Sequence, residues 1–179
     1  MNNIEEGFIE IYTGDGKGKT TAALGLGMRA VGNGMTVYMV QFLKSSSTGE
    51  LASIKKLEPY FKLFRFERER DFFWNLNDKQ KEELKDEIRK AYEFCVKVLK
   101  NKQCDVLIMD EIMGVLQNNL LREEDILKLI SLKPKNVELV LTGRNAPSKI
   151  IDKADLVTEM RPIKHYFEKG VAARKGIEY

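Results

Sequence analysis

Gly14-Asp15-Gly16-Lys17-Gly18-Lys19-Thr20-Thr21 is the stretch on which the reading of this chain turns. A strand-like run, Phe8-Ile9-Glu10-Ile11-Tyr12, precedes it, and a helix-like run, Ala22-Ala23-Leu24-Gly25-Leu26, follows. Strand, glycine loop and helix in that order are what a phosphate-binding loop requires. Glycines let successive N–H groups turn inward around an anion, and the helix N-terminus adds partial positive charge. Lys19 then reaches phosphate oxygens, and the Thr20 hydroxyl is a ligand for Mg²⁺. The usual spacing puts the first glycine at position 13, where this chain has Thr13; its glycine comes one residue later. A glycine-rich turn with two solvated lysines is the plain alternative. Three glycines, the Gly-Lys-Thr ending and the flanking elements weigh against it.

The rest of the composition narrows the class. At 179 residues the chain fits one domain, 1–179, with a substantial core. Its 30 basic and 27 acidic residues leave a formal charge of +3. With no basic stripe carrying interleaved aromatics, nucleic acid is not an expected partner. The charged run 65–71 is nearly self-neutral. Cys95 and Cys104 lack metal-ligand or redox spacing and read as small buried apolar residues. With no leader-like segment and no apolar run of membrane-spanning length, a soluble cytoplasmic protein is expected.

Strand-like runs recur at 8–13, 37–42, 62–66, 106–110, 137–142 and 156–160. Helix-like segments lie between most of them. The clearest covers 79–99, where Leu84, Ile88, Tyr92, Cys95 and Leu99 recur at helical intervals; 123–132 is a shorter one. The alternation predicts an α/β fold, a mostly parallel sheet with helices on both faces. Ligands of such sheets bind at the carboxyl ends of the strands, where the glycine loop lies.

A second site element ends the run Val106-Leu107-Ile108-Met109, which is continuously apolar as a doubly covered strand should be. It closes in Asp110-Glu111, two carboxylates facing the crevice of the glycine loop. One of them can hold Mg²⁺ opposite Thr20, or the pair can cap a helix. Thr142-Gly143-Arg144 ends the next apolar run and directs Arg144 at the same rim, as a phosphate contact, a contact to the second substrate or an ordinary surface arginine. Asn101-Lys102-Gln103-Cys104-Asp105 is a near match to a guanine-reading sequence, but its Asp is one residue late and it precedes a strand; ATP is the expected nucleotide. Phe72-Phe73-Trp74 holds the only tryptophan. Residue chemistry leaves it as local core, a dimer contact or a wall for a large flat apolar ligand.

These motifs together resemble the P-loop class of corrinoid adenosyltransferases. The carrying stretches run in order along nearly the whole chain: 12–23 around the loop, Arg29-Ala30-Val31-Gly32, Val40-Gln41-Phe42-Leu43-Lys44, Met109-Asp110-Glu111, Leu141-Thr142-Gly143-Arg144, Arg161-Pro162-Ile163-Lys164-His165 and the ending 170–179. The displaced first glycine is that family's form of the loop. The resemblance implies a RecA-like P-loop fold of about six strands. It also implies transfer of the 5′-deoxyadenosyl group of ATP to the cobalt(I) of a reduced corrinoid, releasing tripolyphosphate.

By the same resemblance, residues Thr13, Gly14, Asp15, Gly16, Lys17, Gly18, Lys19, Thr20, Thr21 and Arg29 serve ATP. Lys19, Thr20 and Glu111 form the catalytic set, Thr20 and Glu111 with Asp110 hold Mg²⁺, and Arg144 is a further contact. Phe72 and Trp74 displace the lower axial base of cob(II)alamin and form the corrinoid wall. A flavoprotein such as reduced flavodoxin is the implied electron donor, and a homodimer the implied assembly. The corrinoid is cobalamin, cobinamide or a cobyrinic acid diamide, serving synthesis or salvage.

Departures from the pattern are Phe73, where a small polar residue is usual, and Ser45-Ser46-Ser47, where a Gly- and Trp-containing stretch is expected. Longer relatives carry an N-terminal helical extension that helps close the site, so closure here is expected to differ or to come from other segments. His165, the sole histidine, reads as structural. A RecA-like P-loop ATPase or small-molecule kinase is the competing enzyme class, and a regulatory nucleotide-binding module a third.

Overall fold

Strand β4 (Val106–Asp110) shows how this sequence builds its fold. All five of its residues are buried, and successive side chains point to opposite faces of the sheet. Leu107 and Met109 enter one apolar core, Val106 and Ile108 the other. The computed structural model describes residues 4–44, 48–71 and 73–179.

Six strands form one sheet in the order β3-β2-β4-β5-β1-β6, every pairing parallel. They are β1 (Ile9–Thr13), β2 (Val37–Gln41), β3 (Phe61–Phe64), β4, β5 (Glu138–Thr142) and β6 (Leu156–Glu159). Between them lie α1 (Lys19–Gly32), α2 (Gly49–Lys55), α3 (Asp78–Lys100), α4 (Ile112–Gln117), α5 (Glu123–Ser131) and α6 (Ser148–Ile151). Parallel strands need crossovers, and helices supply most of them here.

Helix α1 packs on one face through Ala23 and Ala30, together with Val37, Met39 and Phe61. On the other face lie α3, α4 and α5, contributing Leu84, Ile88, Cys95, Met113 and Leu129. The predicted helix 79–99 is α3, extended by one residue at each end. Asn77 caps it: its side chain accepts from Gln80 N at 2.9 Å, while its own N–H donates to Gln80 Oε1 at 3.0 Å. Its periodic residues Leu84, Ile88, Tyr92, Cys95 and Leu99 are all buried.

Two features differ from the sequence reading, and one dismissed there finds a structural role. Strand β3 stops at Phe64 rather than at residue 66, and the Arg65 side chain just beyond it donates to Gln41 at the end of β2. Helices α2, α4 and α6 span few turns, too short to print a period on the sequence. Asp105 is consumed by Thr36, whose N–H and hydroxyl donate to it at 2.7 and 2.8 Å; this fixes the entry to β4, at the opposite end from the glycine loop. Both cysteines are free and buried. Among the described residues no helix is long and apolar enough to cross a membrane.

Register brings the site together. Gln41 lies beside Asp110, Met109 beside Leu141, and Tyr12 beside Thr142. The carboxyl ends of β2, β4, β5 and β1 therefore stand level, and the glycine loop, Asp110-Glu111 and Thr142-Gly143-Arg144 open from one edge. β5 separates β1 from β4, and α1 crosses over it to bring the loop to β4.

Candidate active site

The glycine loop is shaped by the chain that leaves β6. Gly16 N donates to Met160 O at 2.7 Å, and Met160 N donates to Thr13 O at 2.8 Å. A Cβ on Gly14 or Gly16 would stand 2.4 or 2.7 Å from that same Met160 oxygen, and Gly14 has φ +96°. No other residue type fits this approach. These two glycines thus have a packing reason as well as a phosphate-binding one. Lys19 folds over the loop and donates to Gly14 O at 2.6 Å and Gly16 O at 2.8 Å. Burial lowers its pKa, which favours giving those carbonyls up for an anion's negative oxygens.

Below the loop lies Asp110, fully buried at the end of β4. Its Oδ1 accepts from Thr20 Oγ1 at 2.9 Å and Thr142 Oγ1 at 2.7 Å. Its Oδ2 accepts from Gln41 Nε2 at 3.1 Å and stands 3.5 Å from Lys44 Nζ. The next residue, Glu111, has φ +64° and opens α4 as its N-cap residue. Its N–H donates to Thr142 Oγ1 at 2.9 Å. Burial and the neighbouring Asp110 charge raise its carboxyl pKa, opposed by Lys19, Lys44 and Arg144. The sequence paired Thr20 chiefly with Glu111. In the fold the direct partner of Thr20 is Asp110, with Glu111 beside it.

A cavity of about 670 Å³ opens above these groups. Of the residues singled out from sequence, Asp15, Gly16, Lys17, Gly18, Lys19, Thr20, Thr21, Glu111 and Arg144 line it. Arg144 Nε lies 3.7 Å from Asp15 Oδ1 across the loop. Thr13 sits beneath, buried, its hydroxyl accepting from Ala146 N at 3.3 Å. Arg29 is not brought to the cavity. It stands exposed in the last turn of α1, roughly 15 Å along the helix from the loop at 1.5 Å per residue.

Another wall, assigned no binding role above, is the C-terminal segment. His165, Tyr166, Gly176, Ile177, Glu178 and Tyr179 line the cavity. Lys17 Nζ donates to Glu178 Oε1 at 2.8 Å, Tyr166 OH at 3.0 Å and Ile177 O at 3.2 Å. Tyr166 OH also donates to Glu178, and Arg174 stacks over the Tyr166 ring at 4.8 Å. His165 Nδ1 accepts from Phe167 N at 3.1 Å, capping the short helical turn Tyr166–Lys169.

Comparison with known proteins decides which phosphate-loop protein this is. Residues 5–179 match the family described as ATP:corrinoid adenosyltransferase BtuR/CobO/CobP. The chain belongs to that family. A corrinoid adenosyltransferase of Escherichia coli K12 is 33% identical over 98% of this chain and 87% of its own length. One from Pseudomonas aeruginosa is 34% identical over 98% and 85%. Among solved structures, the flagellar accessory protein FlaH of Methanocaldococcus jannaschii superposes with a TM-score of 0.56 at 16% identity, covering 87% of this chain and 72% of that one. A KaiC-like protein of Pyrococcus horikoshii gives 0.54 at 19%, covering 89% and 74%. At such identities the likeness speaks for the fold alone, an α/β RecA-like P-loop fold.

This corrinoid adenosyltransferase therefore catalyses ATP-dependent adenosylation of a corrinoid, and the family does not favour the ATPase or kinase alternative. The donors near Thr20 fit Mg²⁺: one hydroxyl and one or two carboxylates, the hard oxygen set this ion accepts alongside phosphates. Of the aromatic cluster, Phe73 packs against the core and under Lys81 Nζ at 5.6 Å. That gives the unusual residue at this position an inward role. Trp74 is 73% exposed on the same short turn, and it is not among the residues lining the cavity. Phe72 and Ser45-Ser46-Ser47 lie outside the described residues.

Proposed function

We propose that ATP seats its triphosphate on the loop 14–21 and presents its 5′ carbon to the cobalt of a reduced corrinoid. A cobalt–carbon bond forms as the bond from C5′ to the α-phosphate oxygen breaks. The electron pair leaves with tripolyphosphate, and cobalt(I) becomes cobalt(III). Cobalt(I) is already a strong nucleophile, so no residue has to deprotonate one. What the protein supplies is stabilisation of charge gathering on the leaving group.

The observation that carries this reading is the meeting of Lys19, Thr20 and Glu111 in one cavity, with Asp110 hydrogen-bonded to Thr20 beneath it. Lys19 exchanges its loop carbonyls for phosphate oxygens. Loop amides and the N-terminus of α1 face the same charge. Thr20, Asp110 and Glu111 hold Mg²⁺, which neutralises part of the polyphosphate charge when bound. Arg144 covers the outer rim. Trp74, with Phe72, serves as the corrinoid wall; a broad exposed indole suits a flat apolar macrocycle.

The chain acts as one domain in the cytoplasm, where ATP and a reduced flavoprotein such as flavodoxin supply the reaction. It works as a homodimer, a reading supported by the open sheet edge at β6, where Leu156 and Val157 are exposed. Incubation with ATP, Mg²⁺ and chemically reduced cobalamin, cobinamide or cobyrinic acid diamide tests the reaction. The spectrum of a cobalt–carbon product supports it; ATP consumption with no alkylated corrinoid contradicts it.

A further inference from the structure

Arg65 lies directly after β3, outside the cavity lining. It belongs to a charged run whose charges cancel, yet its side chain is only 13% exposed. The guanidinium reaches back from the end of β3 to the end of β2. Nε donates to Gln41 Oε1 at 2.9 Å, and Nη2 donates to the same oxygen at 2.6 Å and to Thr48 Oγ1 at 2.7 Å. Gln41 is buried in turn. Its Nε2 donates to Asp110 Oδ2 at 3.1 Å and Glu50 Oε1 at 3.2 Å.

The chemistry of these groups allows one arrangement. A guanidinium has donors only, so the oxygen of the Gln41 amide must face Arg65. Its NH₂ group must then face the two carboxylates, which only accept. An amide turned the other way would set its oxygen against Asp110 and its donors against donors. Asp110 and Glu50 together carry the charge that Arg65 and Lys44 balance, with Lys44 Nζ 3.4 Å from Glu50 and 3.5 Å from Asp110. With Oδ2 held in this way, Oδ1 of Asp110 stays on Thr20 and Thr142.

We propose that Arg65 is a positioning residue for the phosphate site: through Gln41 it fixes the Asp110 carboxylate that Thr20 shares. Arg65 is not among the residues lining the cavity. The inference rests on the reading that Thr20 and Asp110 serve the Mg²⁺ end of ATP.

Its test is ATP affinity by calorimetry across a Mg²⁺ series and in chelator, with melting temperature recorded alongside. Variants are Arg65→Met, Arg65→Lys, Gln41→Met, the double Met variant and Asp110→Asn. Arg65→Met is expected to weaken Mg²⁺-dependent ATP binding about tenfold, the scale of one lost charge-assisted hydrogen bond, and to leave metal-free binding nearly unchanged. The double variant should be no worse than Gln41→Met alone, and Arg65→Lys should recover part of the loss. Unchanged Mg²⁺ dependence in Arg65→Met, with Asp110→Asn impaired, overturns the proposal and leaves the site reading standing. Equal losses with and without metal, adding up in the double variant, reduce Arg65 to a packing role and overturn it too. Unimpaired Asp110→Asn removes the site reading and the proposal together. Should Arg65→Met not fold, Gln41→Glu decides. It keeps a partner for Arg65 but loses the donor to Asp110, so metal dependence must change; normal dependence overturns the proposal.

Discussion

Thr20 and Asp110, ninety positions apart in sequence, are joined by a hydrogen bond of 2.9 Å that ties the start of α1 to the end of β4. The bond sets a hydroxyl and a carboxylate side by side below the glycine loop, an arrangement that neither strand nor helix makes alone. Removing either partner should therefore act on metal use before it acts on folding. Thr20→Ala and Asp110→Asn are expected to raise the Mg²⁺ concentration needed for half-maximal turnover, with activity partly recovered by excess metal. Titration of initial rate against Mg²⁺ checks this, and a metal requirement equal to the parent's in both variants would speak against the assignment.

Lys19→Ala removes the cation that lies over the loop carbonyls. Loss of one such electrostatic contact costs about 3 kcal/mol in the barrier, on the order of a hundredfold in rate. Steady-state kinetics with chemically reduced corrinoid reads the effect. Near-normal turnover would show that the loop does not carry the leaving group.

Gly16→Ala places a methyl 2.7 Å from Met160 O, a backbone atom that cannot swing aside. A loss of roughly 1–3 kcal/mol in stability is expected, about 2–4 °C in Tm for each kcal/mol. ATP affinity should fall as well, because the same loop is displaced. A variant melting with the parent would mean that the chain after β6 is not packed against the loop.

Glu67 supplies a pH dependence. Burial pushes its carboxyl up to about 7 although Leu43 N–H donates to it at 2.6 Å; the Glu87 charge adds to the rise, and Arg70 and Arg65 oppose it. A carboxyl raised above its unfolded value contributes stability that is present at acid pH and lost as pH climbs toward 7. The parent should thus lose stability relative to Glu67→Gln between about pH 4.5 and 7, by up to about 3 kcal/mol. Parallel melting curves across that window would contradict this.

The C-terminal wall has its own test. Hydrogen bonds from Arg174, Lys17 and Tyr166 hold the Glu178 carboxyl well below the usual carboxylate range. This contact is present above the ordinary carboxylate pKa and persists as pH falls through it. Glu178→Ala should speed amide exchange at Arg174, whose N–H donates to Glu178 Oε2 at 2.7 Å, and raise KM for ATP. Unchanged exchange would show that other contacts hold the segment.

Much of this was written locally. The loop lies within eight residues, β4 is a continuous apolar run ended by its carboxylates, and α3 repeats its buried positions over many turns. What stayed hidden depends on contacts across the chain. Arg65 reads as one charge among several until register sets Gln41 beside Asp110. Glu178 reads as an ending until it meets Lys17, 161 positions away. Asp110, rather than Glu111, bonds directly to Thr20, because Asp110 ends the strand and Glu111 turns off it with a left-handed backbone. Arg29 sits inside a family-like motif, yet the helix carries it away from the loop.

Phosphorus NMR of a single turnover is the most direct measurement of how the loop handles ATP. Parent enzyme, ATP, Mg²⁺ and reduced corrinoid are mixed, and phosphorus products are counted against cobalt–carbon bonds formed. The loop, Lys19 and the acids beneath it are expected to release one tripolyphosphate for each adenosylated corrinoid, with Lys19→Ala slowing both together. Formation of ADP and orthophosphate in step with turnover would contradict that account.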